Sequence, residues 1–381
     1  MRAGWRIGLK MGLRRPRRDR DSNRGQTPFR DGGVAAPFIL PWRWGAMAAL
    51  FLSHVCFAAG TTDGPGRVEF TWPTPSKGWE QGRAPREFLQ DAGSGDPESG
   101  GFGGVRSAGH QFHEGIDIKA SARDRHGEST DNVFAAMDGV VRHINSVAGD
   151  SNYGRYIVIE HPDQSPAIYT LYAHLARIQP GLRLGERVTR GQVIGLMGHS
   201  SSGNIPRDRA HLHFEMGVMV TRDFQSWYAS RKFGSRNEQS LWNGMNLMGF
   251  DPLDFLTKWR AKRVNTFQEY FAQMTPAAKV RVATRRVPDF VLRYPSLMTK
   301  PLPALVNGWE IEFDWTGIPF RWTPLTGTEA IGLAQNQPRI IEANAEIERH
   351  ERSKSLAVMR RGSWVIARDL DTVLEQLFGY K

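Results

Sequence analysis

Five residues in three short segments could together hold a metal ion and move a proton. They are His113 and Asp117 in Phe112-His113-Glu114-Gly115-Ile116-Asp117-Ile118, His174 in Tyr172-Ala173-His174-Leu175, and His211 and His213 in Ala210-His211-Leu212-His213-Phe214-Glu215. Imidazole and carboxylate are the donor types that zinc accepts when thiolates are absent. Glycine and β-branched residues disfavour a helix in the first segment, which is therefore read as extended, with His113 and Asp117 on one face and Ile116 and Ile118 toward a core. A His four residues before an Asp arises by chance about once in a chain this rich in histidine. The third segment is more telling, because alternation sets two imidazoles on one face and Leu212 and Phe214 on the other, a pattern with few purely structural uses.

Three protein donors and a water make a catalytic zinc site, whereas a closed structural site takes four protein donors. One imidazole should then stay free to take a proton from a water that attacks a carbonyl, and His211 suits that role. His174 ends the strand that starts at Ala167, placed to stabilise an oxyanion or to help deprotonate water. Glu215 has two readings of equal weight, a group that orients a ligand or a solvated strand residue. His110 is a minor candidate, since it would face another way from His113, and His126, His143, His161 and His199 have no partner at ligand spacing.

The elements that must position these side chains are strands. From Asn132 to about Met219, short runs such as Val133–Met137, Gly139–Ile144, Arg155–Glu160 and Ala167–Tyr172 are rich in β-branched and aromatic residues and alternate with Gly, Asp and Asn. They predict a mainly β, antiparallel-sheet domain, because nothing here has the spacing of repeated helical crossovers. Val68–Pro73 is a further expected strand, and the Gly/Ser/Pro-rich stretch 92–104 a loop leading into the site. After Asp251-Pro252 the pattern changes: Leu253 to about Met274, Arg339–His350 and Asp369–Phe378 have helical spacing, while Trp309–Phe313 alternates like a strand. We therefore expect three parts: a leader over 1–59, a catalytic domain over 60–256, and a small α+β C-terminal domain over 257–381. The last carries no chemical motif, and Trp227, Trp242, Trp259, Trp309, Trp315 and Trp322 are read as core side chains.

The formal charge of +11 is concentrated at the start of the chain: residues 1–59 hold eleven Arg/Lys and three Asp, a net +8, which leaves +3 for the remaining 322 residues. A nucleic-acid-binding body is thereby disfavoured. Trp44–Ala59 is apolar, follows Arg43 and closes on small residues, the pattern of a cleaved secretory signal. Val34–Leu40 could lengthen it into an uncleaved anchor, the one expected route to a membrane. The single cysteine, Cys56, lies in this leader. An exported chain without it must hold any metal through His and carboxylates.

The order His-x-x-x-Asp, Tyr-Ala-His-Leu, His-Leu-His-Phe-Glu resembles lysostaphin-type (LytM-like) zinc endopeptidases. Ser99–Gly103, Val133–Val141, Arg190–Gly198 and Phe250–Leu253 resemble that family's entry segment, sheet strands and closing turn, so the likeness runs from about Val68 to Phe255. It implies an open groove on an antiparallel sheet, Zn2+ held by His113, Asp117 and His213, and His174 and His211 as the catalytic pair. It further implies hydrolysis of peptidoglycan stem or cross-link peptides, in the periplasm or cell envelope. Lys119–Asp131 and Asn204–Ala210 are longer than the family pattern and are expected to border the groove. A non-catalytic scaffold of the same fold, binding peptidoglycan or activating a wall amidase, is the alternative. Such scaffolds typically lack ligands, and all five residues stand here.

Overall fold

The computed structural model describes residues 66–379, so the leader expected over 1–59 lies outside the described residues. Twelve strands precede the expected boundary: β1 Gly103–Arg106, β2 Gln111–His113, β3 Ile116–Lys119, β4 Asn132–Phe134, β5 Gly139–Asn145, β6 Tyr156–His161, β7 Ile168–Ala173, β8 Leu175–Ile178, β9 Arg187–Val188, β10 Val193–Met197, β11 His211–Met219 and β12 Leu247–Phe250. Six follow it: β13 Ala278–Ala283, β14 Gly308–Phe313, β15 Pro319–Leu325, β16 Arg339–Ala343, β17 Ala357–Arg360 and β18 Ser363–Ile366. The main sheet runs β12-β11-β7-β6-β5-β9, and β3 pairs with the other half of the β11 edge that β12 occupies. All of these named pairings are antiparallel, the mainly β architecture expected from the alternating runs.

Every residue of β11 is buried, because the strand is paired on both edges and covered on both faces. Leu212, Phe214 and Met216 point into the larger apolar core with Ile116, Ile118 and Tyr172. Burial of an aromatic such as Phe214 contributes about 1.5–3 kcal/mol, and a one-residue slip would exchange it with the histidines. That exchange fixes the register of β11. On the opposite face, Tyr156, Tyr169, Leu171, Trp242 and Leu247 form a smaller cluster beneath residues 221–246.

The larger core continues without a break into the C-terminal segment. Phe250, Phe255 and Phe267 stack onward from the sheet, with Phe255 and Phe267 4.6 Å apart, and the same cluster includes Trp309, Trp322 and Leu374. The described residues thus fall in one compact unit, in which the α+β segment after 256 shares its core with the sheet that precedes it. Its own sheet is ordered β15-β14-β13-β16, and β17 and β18 form a hairpin. No helix of the described residues is long and apolar enough to cross a membrane.

Three local expectations change. Val68–Trp72 is extended but enters no ladder, tied instead by Val68 N–H to Asn265 and Thr71 N–H to Ala136 carbonyls. The helical spacing over 253–274 divides into helices Pro252–Arg260 and Phe267–Ala272, the second capped by the Thr266 side chain. The spacing over 339–350 divides into β16 and a helix Ala345–His350, because β13 has a free edge that captures 339–343.

Between β14 and β15, buried Asp314 organises a tight turn: its Oδ1 accepts from Thr316 N, Thr316 Oγ1 and Ile318 N at 3.1, 2.7 and 2.8 Å. Burial pushes its carboxyl from 3.8 up to about 6 despite hydrogen bonds that favour the ionised form. Across that window the folded chain binds more protons than the unfolded chain, so this group's stabilising contribution is lost as pH rises from 3.8 to about 6. An amide oxygen can accept the same bonds. Asp314→Asn should therefore gain stability relative to wild type as pH rises through that window, as measured by urea unfolding at several pH values.

Candidate metal centre

Register builds the centre. Pairing of β11 with β3 sets His213 opposite Asp117, and pairing with β7 sets His213 opposite Ala173, the residue before His174. His174 then takes a left-handed backbone, φ 61°, and its ring lies 4.8 Å from that of His211 and 5.8 Å from that of His213. The β1–β2 hairpin brings His113 alongside, with ring centroids 4.9 Å from His213. His113 Nε2, Asp117 Oδ1 and His213 Nδ1 form a triangle with edges of 3.1, 3.0 and 3.0 Å. A tetrahedral zinc site with bonds of about 2.0–2.1 Å has about 3.3 Å between its ligand atoms, so this donor set fits such an ion closely.

The outward nitrogen of each ring has a fixed partner, and that decides which nitrogen faces the centre. His113 Nδ1 donates to the Gly101 carbonyl at 2.6 Å, His174 Nδ1 to Ser200 at 2.8 Å and His211 Nδ1 to Arg209 at 2.7 Å. Carbonyls only accept, so in each neutral ring Nε2 carries the lone pair. His213 is reversed: its Nε2 meets Glu215 Oε1 at 2.9 Å and Nδ1 faces Asp117. Glu215 is wholly buried and also accepts from Tyr153 and Tyr169 hydroxyls at 2.6 and 2.8 Å. Of its two readings, the ligand-orienting one matches this geometry.

Electrostatics follow the same division. Burial alone would raise Asp117, but His113 and His211 together with hydrogen bonds from His113 and His213 hold it well below the usual carboxylate range. Its Oδ2 is paired with Arg106 of the hairpin. Burial would lower His213, yet the Asp117 and Glu215 carboxylates outweigh it and raise the imidazole to about 10. It therefore holds a proton where a metal would bind, and a metal would displace it. His211 and His174 are lowered, chiefly by burial, and stay neutral at pH 7.

All five sequence-selected residues meet here. Four are nearly buried, His113, Asp117, His211 and His213 at 1, 3, 4 and 5 % exposure. Among the described residues the other histidines named above are engaged elsewhere or exposed: His143 bonds Gln239, His161 bonds Thr170, His199 bonds the Ile205 carbonyl, and His110 and His126 face solvent. The two long loops clasp each other beside the start of β11, where Arg123 donates to Arg207 and Ala210 carbonyls and Arg207 pairs with Glu128 at 2.7 Å. A cleft of about 600 Å³ opens past Tyr153 between Glu114, Asn152, Glu238 and Met245, and the Tyr153 ring lies 5.5 Å from His213. Arg106, Tyr153 and Tyr169 escaped the sequence reading. Only the Arg just beyond the Gly-Phe-Gly entry segment offered a signal.

Residues 111–223 match Peptidase family M23, which identifies that segment as a peptidase domain of this family. Endolysin 2638A of Staphylococcus phage 2638A is 28% identical over 140 residues, which is 37% of this chain and 26% of the endolysin. The chain thus spans about a quarter of the length of the curated relative it matches. Among solved structures, a zinc-containing peptidase from Vibrio cholerae is 30% identical, covering 28% of this chain and 26% of that one, with a TM-score of 0.21. The catalytic domain of the antimicrobial peptidase lysostaphin from Staphylococcus simulans is 19% identical, covering 48% of this chain and 98% of that one, with a TM-score of 0.27.

Glu215→Gln keeps an oxygen for His213 but cannot accept from both tyrosines. It should lower zinc affinity about 10–100-fold, the usual range for a group that orients a metal-binding histidine, as read by chelator competition. Unchanged affinity would detach Glu215 from the centre.

Proposed function

We propose that this protein is a zinc endopeptidase that hydrolyses peptide bonds in the stem or cross-link peptides of bacterial peptidoglycan, exported to the periplasm or cell envelope by its basic, apolar leader. The observation that carries the chemistry is the convergence of three donors, His113 Nε2, Asp117 Oδ1 and His213 Nδ1, each with its orientation fixed from behind. The motif resemblance and the endolysin match support the substrate class. Possession of all five residues favours catalysis over a non-catalytic scaffold.

Zinc at these donors would supply Lewis acidity toward a water and the scissile carbonyl. His211, neutral and with its Nε2 3.5 Å from Asp117 Oδ1, accepts the proton of the attacking water. It returns that proton to the departing amine. His174, its Nδ1 held by the Ser200 carbonyl, presents a second unprotonated Nε2 beside His211, able to accept a hydrogen bond from the attacking water and orient it. Arg106 balances the second oxygen of Asp117.

Digestion of purified peptidoglycan by the zinc-loaded protein, with mass analysis of released muropeptides, should show cleaved peptide bonds and intact glycan strands. Glycan cleavage, or no release at full zinc loading, would overturn this reading. His213→Ala should lose zinc and activity together. His211→Ala should keep its metal and lose on the order of 10²–10⁴-fold in turnover; zinc loss from His211→Ala with retention in His213→Ala would reverse the two roles.

A further inference from the structure

The β1–β2 hairpin carries two of the contacts on which the centre depends, and among the described residues it pairs with no other strand. Its inner side reaches the metal ligands: the Gly101 carbonyl just before it receives His113 Nδ1, His113 itself ends β2, and Arg106 ends β1 against Asp117. A two-stranded hairpin this short is marginal without packing. Its short link to β3 anchors one end, and the packing that covers its outer side must hold the rest.

That cover comes from the C-terminal segment. Trp315 packs edge-on against Phe102 at 5.9 Å and Phe112 at 5.7 Å. The same ring lies directly over Gly103, where φ is +96° and a Cβ would fall 2.7 Å from it. Lys354 Nζ sits 4.4 Å above the Phe112 ring, and Ser353 Oγ lies 2.8 Å from where a Cβ on Gly104 would stand. The Asp314 turn, whose backbone and side-chain bonds are internal, presents Trp315 to the hairpin. Phe112 and His113 are adjacent on β2, so one face of that strand touches Trp315 while the next side chain enters the centre.

We infer that the segment after residue 256 serves the peptidase by holding this hairpin in place, with Trp315 as the positioning residue through which it sets His113 and Arg106 against Asp117. Trp315 touches no donor itself. Its effect on the centre passes through Phe102, Gly103 and Phe112, and the inference rests on the metal-site reading above.

The test measures zinc affinity by chelator competition, together with thermal stability of the metal-free chain and protease nicking within 103–113. Trp315→Ala should weaken zinc binding by at least about tenfold, the scale seen for groups that orient ligands, and expose the hairpin to cleavage. Trp315→Phe should restore most of the affinity. Trp227→Ala, which removes a ring packed on Phe224 and Phe233 instead, should lower stability without weakening zinc binding. If Trp315→Ala does not fold, Phe112→Leu removes the same ring contact from the hairpin side without changing backbone demands and should also weaken zinc binding. Folded Trp315→Ala with wild-type zinc affinity and an uncut hairpin, or a Trp227→Ala loss equal to that of Trp315→Ala, would overturn the inference while leaving the metal site standing. A wild-type protein that takes up no zinc would overturn both.

Discussion

A carboxylate removed from water is costly unless charge and hydrogen bonds replace what water supplied, and Asp117, 3 % exposed on a strand that pairs with the edge of β11, imposes that demand on everything around it. Three imidazoles within 3.0–3.5 Å share one of its oxygens and an arginine takes the other. No one of these partners comes from the same strand as another except His211 and His213. Strands β2, β3 and β11 and the end of β1 must therefore be correctly placed together for the charge to be tolerable at all. The apolar side of β11 helps enforce this, since Leu212 and Phe214 cannot exchange places with the histidines without losing their burial.

Two buried carboxylates divide the work. Asp117 faces the centre and meets imidazole nitrogens, while Glu215, two strand positions beyond His213 on the same face, lies behind that ring and meets it and two tyrosine hydroxyls. Placing a second negative group so near would be unfavourable if it opposed the first directly. With His213 between them, each carboxylate binds an opposite side of the same ring, and the ring is held from both sides. The three carbonyls behind His113, His174 and His211 do the same work with neutral acceptors.

Much of this was legible because it follows from alternation. His-Leu-His-Phe-Glu alternates as a buried strand, but which segments pair with it is not in the alternation; the gathering of His-x-x-x-Asp and Tyr-Ala-His beside it was implied by the family resemblance. The alternating run ending at Phe313 and the periodic run to Phe378 were likewise readable. What escaped depends on pairing that no local pattern encodes. Arg106 and Tyr153 reach the centre only through a hairpin register and a loop approach, the edge of β13 turns half of 339–350 into a strand, and Val68–Trp72 stays outside every ladder because its neighbours offer isolated carbonyls. The readings assigned to 1–59 lie beyond the described residues.

His113 and His213 stand 100 positions apart in the chain yet 3.0 Å apart in space. Contacts of such sequence separation are made late and lost early relative to local ones, because closing the intervening loop costs entropy before any bond repays it. No short fragment can gather the three donors, so the centre exists only in a chain folded from β2 through β11. A bound ion, by favouring the folded chain over the unfolded one, would join both ends of that long loop, making metal supply a governor of how long the protein endures as well as of whether it acts.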